Sequence, residues 1–461
     1  MTVLFTNVMV YNNDDATPGG PFLTDAAVAV EGTTIAAVGP QRELAERFPG
    51  AEVVDGRGRL LMPGLVNAHM HFYGTYARGL AMSRQPRDFG EILAWLWWTL
   101  DKALDLDAVY YSTLLPAITA VRSGVTAVID HHASPNAVAG SLDRIEDALS
   151  LVGLRGLLCY EVSDRDGKAI RDAGLAENAR YIRKSQAARA ANPNHIYDGM
   201  IGLHASFTLD DDTLQQAVAL GDELQRGYHI HMLEGWLDEH ETRARYGASV
   251  ARRLYDAGIF TDRSIAAHGI MLDEGGMDLV AERDTIIAHN PQSNMNNAVG
   301  RADVFALLAR GVTVGIGTDG MTPDLKVDVR TGYLLHKHHL SDPRPGWNEF
   351  QQMMLQNNPA IYRRLTGQMV GRIAPDYLAD FILVDYHAPT PLDAANFWGH
   401  FLYGIADAPV SMTVINGRIV MEEGRIPGLE AAGLDEATLA AESQRVARDV
   451  WARFQELSAA Q

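Results

Sequence analysis

Two histidines one residue apart, His69 and His71, stand at the end of an apolar run in the stretch LVNAHMHFYG, residues 65–74. Side chains at positions i and i+2 of a strand lie on the same face, so both imidazoles can reach one metal ion. The alternative is a pair of ordinary polar residues at a strand end. His231, His268 and Asp319 each close another apolar run. Three of these four imidazoles together with the carboxylate would suit Zn²⁺ or Fe²⁺.

Eight short apolar runs could position these residues, and longer helical stretches separate the runs. They are LMPGLVNAHMH, GVTAVIDH, LRGLLCYEV, YDGMIGLH, GYHIHMLE, SIAAHG, DTIIAHN and VTVGIGTDG. This alternation is typical of α/β proteins with a parallel sheet, and its eightfold repetition predicts a (β/α)8, TIM-like barrel. Active sites of such barrels lie at the C-terminal ends of the strands. The runs end in residues that can do chemistry, namely His69 and His71, Asp130 and His131, Glu161, His204, His231 and Glu234, His268, His289, and Asp319.

Short strand patterns at the two ends of the chain have the same character. VLFTNVMVYN and AAVAVEGTTIAAVGP near the start correspond to ADFILVDY and VSMTVINGRIVMEEGR near the end, where Asn416-Gly417 is a hairpin signal. We therefore predict a small β-sandwich domain assembled from residues 1–60 and 372–430. The catalytic barrel, residues 61–371, would be inserted between these two parts.

The C-terminal segment 431–461 has the pattern of an amphipathic helix. Four apolar residues fall on one helical face, Val446, Val450, Phe454 and Leu457. We expect this face to pack against the body of the protein or against a partner subunit. A homo-oligomer, with a dimer favoured, is the corresponding expectation for assembly.

Composition excludes several classes of protein. The chain has 461 residues, a formal net charge of −19 and one cysteine, Cys159. The negative charge argues against a nucleic-acid-binding surface. The single cysteine excludes an intrachain disulfide framework and a cysteine-cluster metal site, and it suits a reducing compartment. No run approaches the roughly 18 apolar residues of a membrane span, and the N-terminus lacks a signal-peptide pattern. We expect a cytoplasmic protein without a membrane partner.

The motifs together resemble the amidohydrolase superfamily, in its cytosine-deaminase-like and chlorohydrolase-like branch. The resemblance rests on HxH after PGLVN, H-x-x-E in HIHMLEG, the histidine of AAHG, and GTDG. Further stretches are similar to the SsnA-type aminohydrolases, namely HFYGTYARGLAM, DHHASPN, CYEVSDRDG, GLHASFTL, NPQSNMNNAVG and HKHHL. The resemblance covers nearly the whole chain and includes the split β-domain.

The resemblance implies a ligand set and a metal count. His69, His71, His231 and Asp319 would hold one divalent ion per subunit, Zn²⁺ or Fe²⁺. The H-x-x-E spacing to Glu234 selects His231 over His229, which leaves His229 in the core. Binuclear members carry a lysine at the end of the fourth strand. This chain has His204 there, which favours one metal.

The resemblance also implies a hydrolytic mechanism. A bound divalent ion lowers the pKa of its water toward about 7 and makes a hydroxide available. Glu234 would protonate the ring nitrogen of an amino-substituted heterocycle (a purine, pyrimidine, pterin or triazine) and pass a proton to the departing ammonia. His268 and Asp319 would help to remove the proton of the water. We therefore expect an aminohydrolase that acts on C–N bonds other than peptide bonds.

Two other functions compete with deamination. The same superfamily hydrolyses cyclic amides and displaces chloride or thiol groups from heterocycles, and the motifs do not separate these reactions. A barrel that has lost catalysis and serves as a scaffold is the second alternative. Such a protein would be free to lose metal ligands, whereas all are present in this chain.

Six residues are candidates for substrate contact: Arg78, Trp95, Glu161, Arg165, His204 and His289. Each also has a structural interpretation. The tryptophans of ILAWLWWTL (Trp95, Trp97 and Trp98) have helical spacing, which usually indicates core packing, although one could stack on a flat substrate ring. EVSDRD could form a salt-bridged turn, and His289 precedes a turn signal. The HKHHL stretch at 336–340 is expected on a helix after the last strand, in a structural role.

Overall fold

The computed structural model describes residues 2–12 and 20–460. The strands form two sheets, one at the ends of the chain and one in the middle. In chain order, β1 to β16 are Thr2–Tyr11, Phe22–Glu31, Thr34–Pro40, Glu52–Pro63, Leu65–Met70, Val125–His132, Arg155–Val162, Tyr197–Gly199, Ile201–Ala205, Tyr228–Met232, Ile265–His268, Ile286–His289, Val314–Ile316, Phe381–Val384, Val410–Ile415 and Arg418–Glu422.

Helices follow most of the central strands. In chain order, α1 to α18 are Gln41–Arg47, Phe89–Ile92, Trp98–Leu100, Leu106–Arg122, Ser141–Val152, Lys168–Ala191, Asp211–Leu224, Trp236–Tyr246, Val250–Asp256, Glu274–Glu282, Pro291–Asn296, Val304–Ala309, Leu325–Leu340, Trp347–Gln352, Asn358–Thr366, Phe397–Tyr403, Pro427–Ala431 and Glu436–Ala459. Within the part of the chain that the structure describes, no helix has the length and apolar character that crossing a membrane requires.

The central sheet is a parallel barrel. Its strands follow the order β5-β6-β7-β9-β10-β11-β12-β13, with β8 paired to β7, and every neighbouring pair is parallel. A parallel bridge between Met70 and Asp319 joins the first strand to the segment after the last one. Each of the eight apolar runs contains a barrel strand, so the predicted TIM-like fold is confirmed.

The first and last strands meet through backbone hydrogen bonds at the site residues. The carbonyl of His69 accepts from the amides of Thr318 and Asp319, at 2.9 and 3.1 Å. Gly317 permits this approach, because a Cβ at that position would lie 2.5 Å from the His69 carbonyl oxygen. Barrel closure therefore fixes the HxH strand against the aspartate segment.

The second sheet combines both ends of the chain in the order β16-β15-β14-β4-β1-β2-β3. Its strands form one hydrogen-bonded path, in which β1 pairs parallel to β4 and β4 pairs antiparallel to β14. One face carries an apolar core that includes Phe5, Val28 and Phe381. Only Gly64 separates β4 from β5, so this sheet continues directly into the barrel.

The C-terminal helix α18 packs on the body of its own chain. Val446, Val450 and Phe454 are buried against Tyr76 and Leu104, and Leu457 joins the edge of this cluster. The indole of Trp451 adds a hydrogen bond of 2.8 Å to the Tyr76 carbonyl. The apolar face of this helix therefore packs against the body of the protein, which is one of the two alternatives that the sequence leaves open.

A buried ion pair links the barrel to the second sheet. Arg155 of β7 donates from Nε and Nη2 to the two carboxylate oxygens of Asp380, at 2.8 and 2.9 Å. Both side chains are about 1% exposed. The pair is therefore cut off from water and joins residues 225 positions apart.

Replacing Arg155 by alanine should destabilise the protein by about 3–5 kcal/mol, because Asp380 would keep a buried charge without a partner. Urea denaturation followed by tryptophan fluorescence measures the change. Arg42→Ala is the control, since its ion pair with Glu46 is almost fully exposed and should contribute little. Equal midpoints for both variants would contradict this role of the buried pair.

Candidate active site

Three histidines converge at the carboxyl ends of the strands. His69 lies in β5, His71 directly follows that strand, and His231 lies in β10. Each uses Nδ1 for a hydrogen bond: His71 to the His131 carbonyl, His231 to the His204 carbonyl at 3.1 Å, and His69 to the His229 ring at 2.8 Å. The two carbonyls can only accept, so they place the proton of His71 and of His231 on Nδ1 and leave the Nε2 lone pair of each ring for the centre of the barrel mouth.

Neighbouring pairs among the converging atoms have the spacing of metal ligands. Among the described residues, His69, His71 and Asp319 form one group that could hold an ion, and His71 and His231 belong to a second, overlapping group. His71 Nε2 is 3.0 Å from His231 Nε2 and 3.3 Å from Asp319 Oδ1, while His69 Nε2 is 3.9 Å from Asp319 Oδ1. Zinc ligands at about 2.0–2.1 Å in tetrahedral geometry lie about 3.4 Å apart. The buried Nε2 of His69 has no hydrogen-bond partner. These donors therefore fit a divalent metal ion.

The electrostatics of the cluster suit a cation. Burial lowers the pKa values of His69, His71 and His231, so the three rings are neutral and can donate lone pairs. Burial alone would raise the pKa of Asp319, but His71 and His268 outweigh it, and the pKa lies below its usual value. One carboxylate and three neutral imidazoles make up the predicted set.

Unusual backbone conformations direct the catalytic candidates into the mouth. His268, Asp319 and Leu233, the residue before Glu234, have φ angles of 76°, 54° and 52°. Non-glycine residues seldom adopt this left-handed region, because it costs conformational energy. Its occurrence at three strand ends around one centre is characteristic of a functional site.

Glu234 and His268 form a pair beside the metal-ligand cluster. Oε2 of Glu234 is 3.4 Å from His268 Nε2, and Asn297 donates to Oε1 at 3.2 Å. Burial raises the pKa of Glu234 to about 7, although the neighbouring His268 opposes this shift. Near neutral pH this carboxyl group can therefore both hold and release a proton.

The His268 ring is oriented from its other side. Its Nδ1 donates a hydrogen bond to the side-chain oxygen of Asn294, at 2.9 Å. Nε2 is left as a buried atom without a hydrogen-bond partner, 3.4 Å from Glu234 and 3.7 Å from Asp319 Oδ2. The free lone pair can accept a proton at this point.

A pocket with an empty volume of about 790 Å³, including its open mouth, leads to these residues. Its base contains His71, His231, Glu234 and Asp319, and its walls are aromatic, with Phe89, Trp97, Trp98 and Phe207. This combination of flat apolar walls and a polar base suits a planar heterocycle.

His204 and Glu161 line the pocket. Their contact with a substrate stays a prediction. Glu161 Oε2 is 3.2 Å from His131 Nδ1, and Oε1 is 3.8 Å from His204 Nε2. Burial acts to raise the pKa of Glu161, but His204, His131 and Arg165 outweigh this effect. The pKa therefore lies below its usual value, and the carboxylate is ionised. His204 is neutral, because burial lowers its pKa to about 4.

Trp95 was the wrong choice among the three tryptophans. It lines a separate surface groove and lies under the Arg84 guanidinium at 5.5 Å, while Trp97 and Trp98 face the pocket. A π-helical turn at Leu93–Trp97 is the physical reason. Its wider winding rotates the side chains away from the directions that regular helical spacing predicts.

Arg165, Arg78 and His289 are also not among the residues that line this pocket. Arg165 forms buried ion pairs with Asp101 and Asp166, so it supports the loop, as the salt-bridge alternative predicts. Arg78 is exposed on the surface. His289 is fully buried, and its Nε2 is 3.1 Å from that of His336 in α13. The predicted structural role of HKHHL agrees with this contact.

Two asparagines of the site are not among the residues that the sequence motifs predict. Asn294 orients His268, and Asn297 contacts Glu234. The two asparagines belong to the amide-rich stretch NPQSNMNN, which follows directly on β12. Its position at a strand end is the signal that could have identified them.

Comparison with known proteins places the chain among related enzymes. A model described as "Amidohydrolase family" matches residues 60–420, and one described as an imidazolonepropionase-like composite domain of bacteria matches residues 26–51. The chain is 32% identical over 444 residues to 5-methylthioadenosine/S-adenosylhomocysteine deaminase of Desulforudis audaxviator, which covers 93% of this chain and 95% of that protein.

Two further relatives point the same way. The 5'-deoxyadenosine deaminase of Methanothermobacter thermautotrophicus is 31% identical over 387 residues, 82% of this chain and 86% of that one. The crystal structure of an adenosine deaminase from Xanthomonas campestris with bound zinc superimposes with a TM-score of 0.83 at 25% identity, over 97% of this chain and 98% of that chain. The protein therefore belongs to the amidohydrolase family, as its sequence motifs predict.

Proposed function

We propose that this protein is a metal-dependent deaminase that removes the amino group of a 6-aminopurine nucleoside by hydrolysis. The observation that carries the proposal is the Glu234–His268 pair, which lies beside the metal-ligand cluster at the base of an aromatic-walled pocket. The relatives are named for deamination of adenosine and of its 5'-modified derivatives. Their shared 6-aminopurine ring narrows the range of heterocycles that the sequence predicts.

The proposed metal centre uses His69, His71, His231 and Asp319. The donor set favours Zn²⁺, and the related adenosine deaminase was solved with zinc. Fe²⁺ is the alternative for the same donors. A bound ion of this kind supplies Lewis-acid activation of a water molecule, so that a nucleophile is available near neutral pH.

The proton transfers are assigned to groups of this chain. His268 Nε2, with its free lone pair, accepts a proton from the attacking water, and Asp319 assists. Glu234 donates its proton to the ring nitrogen next to the amino-bearing carbon, which makes that carbon electrophilic. The proton that His268 accepted from the water then passes through the deprotonated Glu234 to the departing amino group, which leaves as ammonia. Each such role contributes on the order of 10²- to 10⁴-fold in rate.

The pocket walls supply binding. Trp97, Trp98 and Phe207 offer flat faces against which a purine ring can stack, and such stacking contributes about 1–3 kcal/mol per base. The ionised Glu161 and the neutral His204 present hydrogen-bond acceptors to the same ligand. We infer that they contact polar donors of the substrate. The homodimer and the cytoplasmic location stay predictions.

The substrate assignment predicts ammonia release from adenosine, 5'-deoxyadenosine, 5'-methylthioadenosine or S-adenosylhomocysteine. The measurement is ammonia formation by zinc-loaded protein, with guanine, cytosine and pterins as comparison rings and a chlorotriazine as a source of chloride. Ammonia from at least one adenosine derivative is expected, without chloride from the triazine. Chloride release alone, or a ring-opened acid from a cyclic amide, would favour the competing hydrolases.

Glu234→Gln should lower kcat by about 10²- to 10⁴-fold, because the amide cannot deliver the proton that activates the ring. Zinc content should be unchanged, since Glu234 is not assigned as a ligand. Glu241→Gln, an exposed carboxylate on the following helix, is the matched control and should keep full activity. Near-normal turnover of the Glu234 variant with zinc bound would exclude the proposed proton path.

Removing the metal should abolish activity and destabilise the protein. Without a cation, the Nε2 lone pairs of the neutral histidines and the Asp319 carboxylate would face and repel one another. Dialysis against a chelator, followed by measurement of activity and thermal midpoint, tests this. Stoichiometric Zn²⁺ should restore both quantities, whereas Mg²⁺, which prefers oxygen ligands, should not. Full activity in metal-free protein would refute the proposed mechanism.

A further inference from the structure

His229 lies at a place in the barrel that the proposed mechanism does not use. It shares a face of β10 with His231 but lies one layer deeper, and it is fully buried. Its Nε2 is 2.8 Å from Nδ1 of His69, a member of the metal-ligand cluster. A ligand of the proposed metal is therefore hydrogen-bonded to a second histidine, which makes no other use of that nitrogen among the hydrogen bonds of the described residues.

The protons along this contact can be assigned from the partners. The thiol of Cys159 donates to the Asp130 carbonyl at 3.4 Å, so its sulfur is free to accept from His229 Nδ1 at 3.8 Å. With its proton on Nδ1, the His229 ring presents an Nε2 lone pair to His69. His69 must then carry its proton on Nδ1, and its own Nε2 is left unprotonated toward the cluster.

The other two histidine ligands are oriented differently. His71 and His231 direct Nδ1 to backbone carbonyls, of His131 and His204 respectively. A carbonyl oxygen can only accept a hydrogen bond, so those tautomers are fixed by the main chain. The tautomer of His69 depends instead on a side chain, which can itself exist in two tautomers and can be changed by substitution.

We propose that His229 is a positioning residue for the metal site, because it holds the His69 ring in place and keeps Nε2 unprotonated. Partners that orient a metal ligand in this way contribute about 10- to 100-fold to metal affinity. The inference rests on the metal site of the proposed function. It does not depend on the substrate, so a wrong substrate assignment would leave it intact.

Two substitutions separate orientation from packing. His229→Leu fills the volume but removes the acceptor, and His229→Gln places an amide oxygen near the position of Nε2. We expect the leucine variant to bind Zn²⁺ about 10- to 100-fold more weakly than the unchanged protein. The glutamine variant should stay within about threefold of it. The measurement is equilibrium competition for Zn²⁺ with a chromogenic chelator, in the absence of substrate.

His289 provides a matched control. It is also fully buried at a strand end and also contacts a second histidine, His336 at 3.1 Å. Within residues 2–12 and 20–460, none of the hydrogen bonds or ring contacts of its side chain is to a proposed metal ligand. His289→Leu should therefore keep normal zinc affinity, even if its metal-free thermal midpoint falls as much as that of His229→Leu. Normal affinity in His229→Leu would overturn the proposal. An equal loss of affinity in His229→Gln or in His289→Leu would also overturn it.

Discussion

Closure of the barrel between β5 and β13 is the contact on which the site depends. Two amides after β13 donate to the His69 carbonyl, and the amide of His71 donates in return to the Asp319 carbonyl at 3.1 Å. Predicted metal ligands that are about 250 residues apart in sequence are thereby held by main-chain bonds, which do not change with side-chain rotamers. Hydrogen bonds to Nδ1 then determine which ring nitrogen faces the centre. The relative positions of the proposed metal ligands follow from this geometry.

Two glutamates in one pocket behave in opposite ways. Burial dominates at Glu234, and its pKa rises to about 7. Glu161 is more deeply buried, with 3% of its side chain exposed against 13% for Glu234, but His204, His131 and the Arg165 guanidinium hold its pKa below the usual range. Different environments can shift the pKa values of two like groups in opposite directions. One pocket can then contain both a carboxyl group that donates a proton and one that stays ionised. The neighbours of each carboxyl group therefore decide whether its pKa is raised or lowered.

The sequence was sufficient where a local rule determines the outcome. The two-residue period of a strand predicts that His69 and His71 share a face, and the end of a strand predicts the placement of His231 and Asp319. Errors arose where a distant partner determines the outcome. Arg165 pairs with Asp101 and His289 with His336, and neither partner can be identified from spacing. The prediction for Trp95 has a local error, because a π-helical turn changes the helical period. The spacing of the tryptophans in the sequence does not reveal that turn.

The second sheet has a consequence for synthesis of the chain on the ribosome. Strand β4 can pair with β1 as soon as both have been synthesised. Its other edge stays unpaired until β14 has been made, about 320 residues later. At about 5–20 residues per second, that edge stays open for roughly 15–60 s while the whole barrel emerges. An unpaired strand edge invites pairing with other chains during this interval. A nascent chain of this protein is therefore most exposed to misassociation, and has most need of a chaperone, just before its last strands appear.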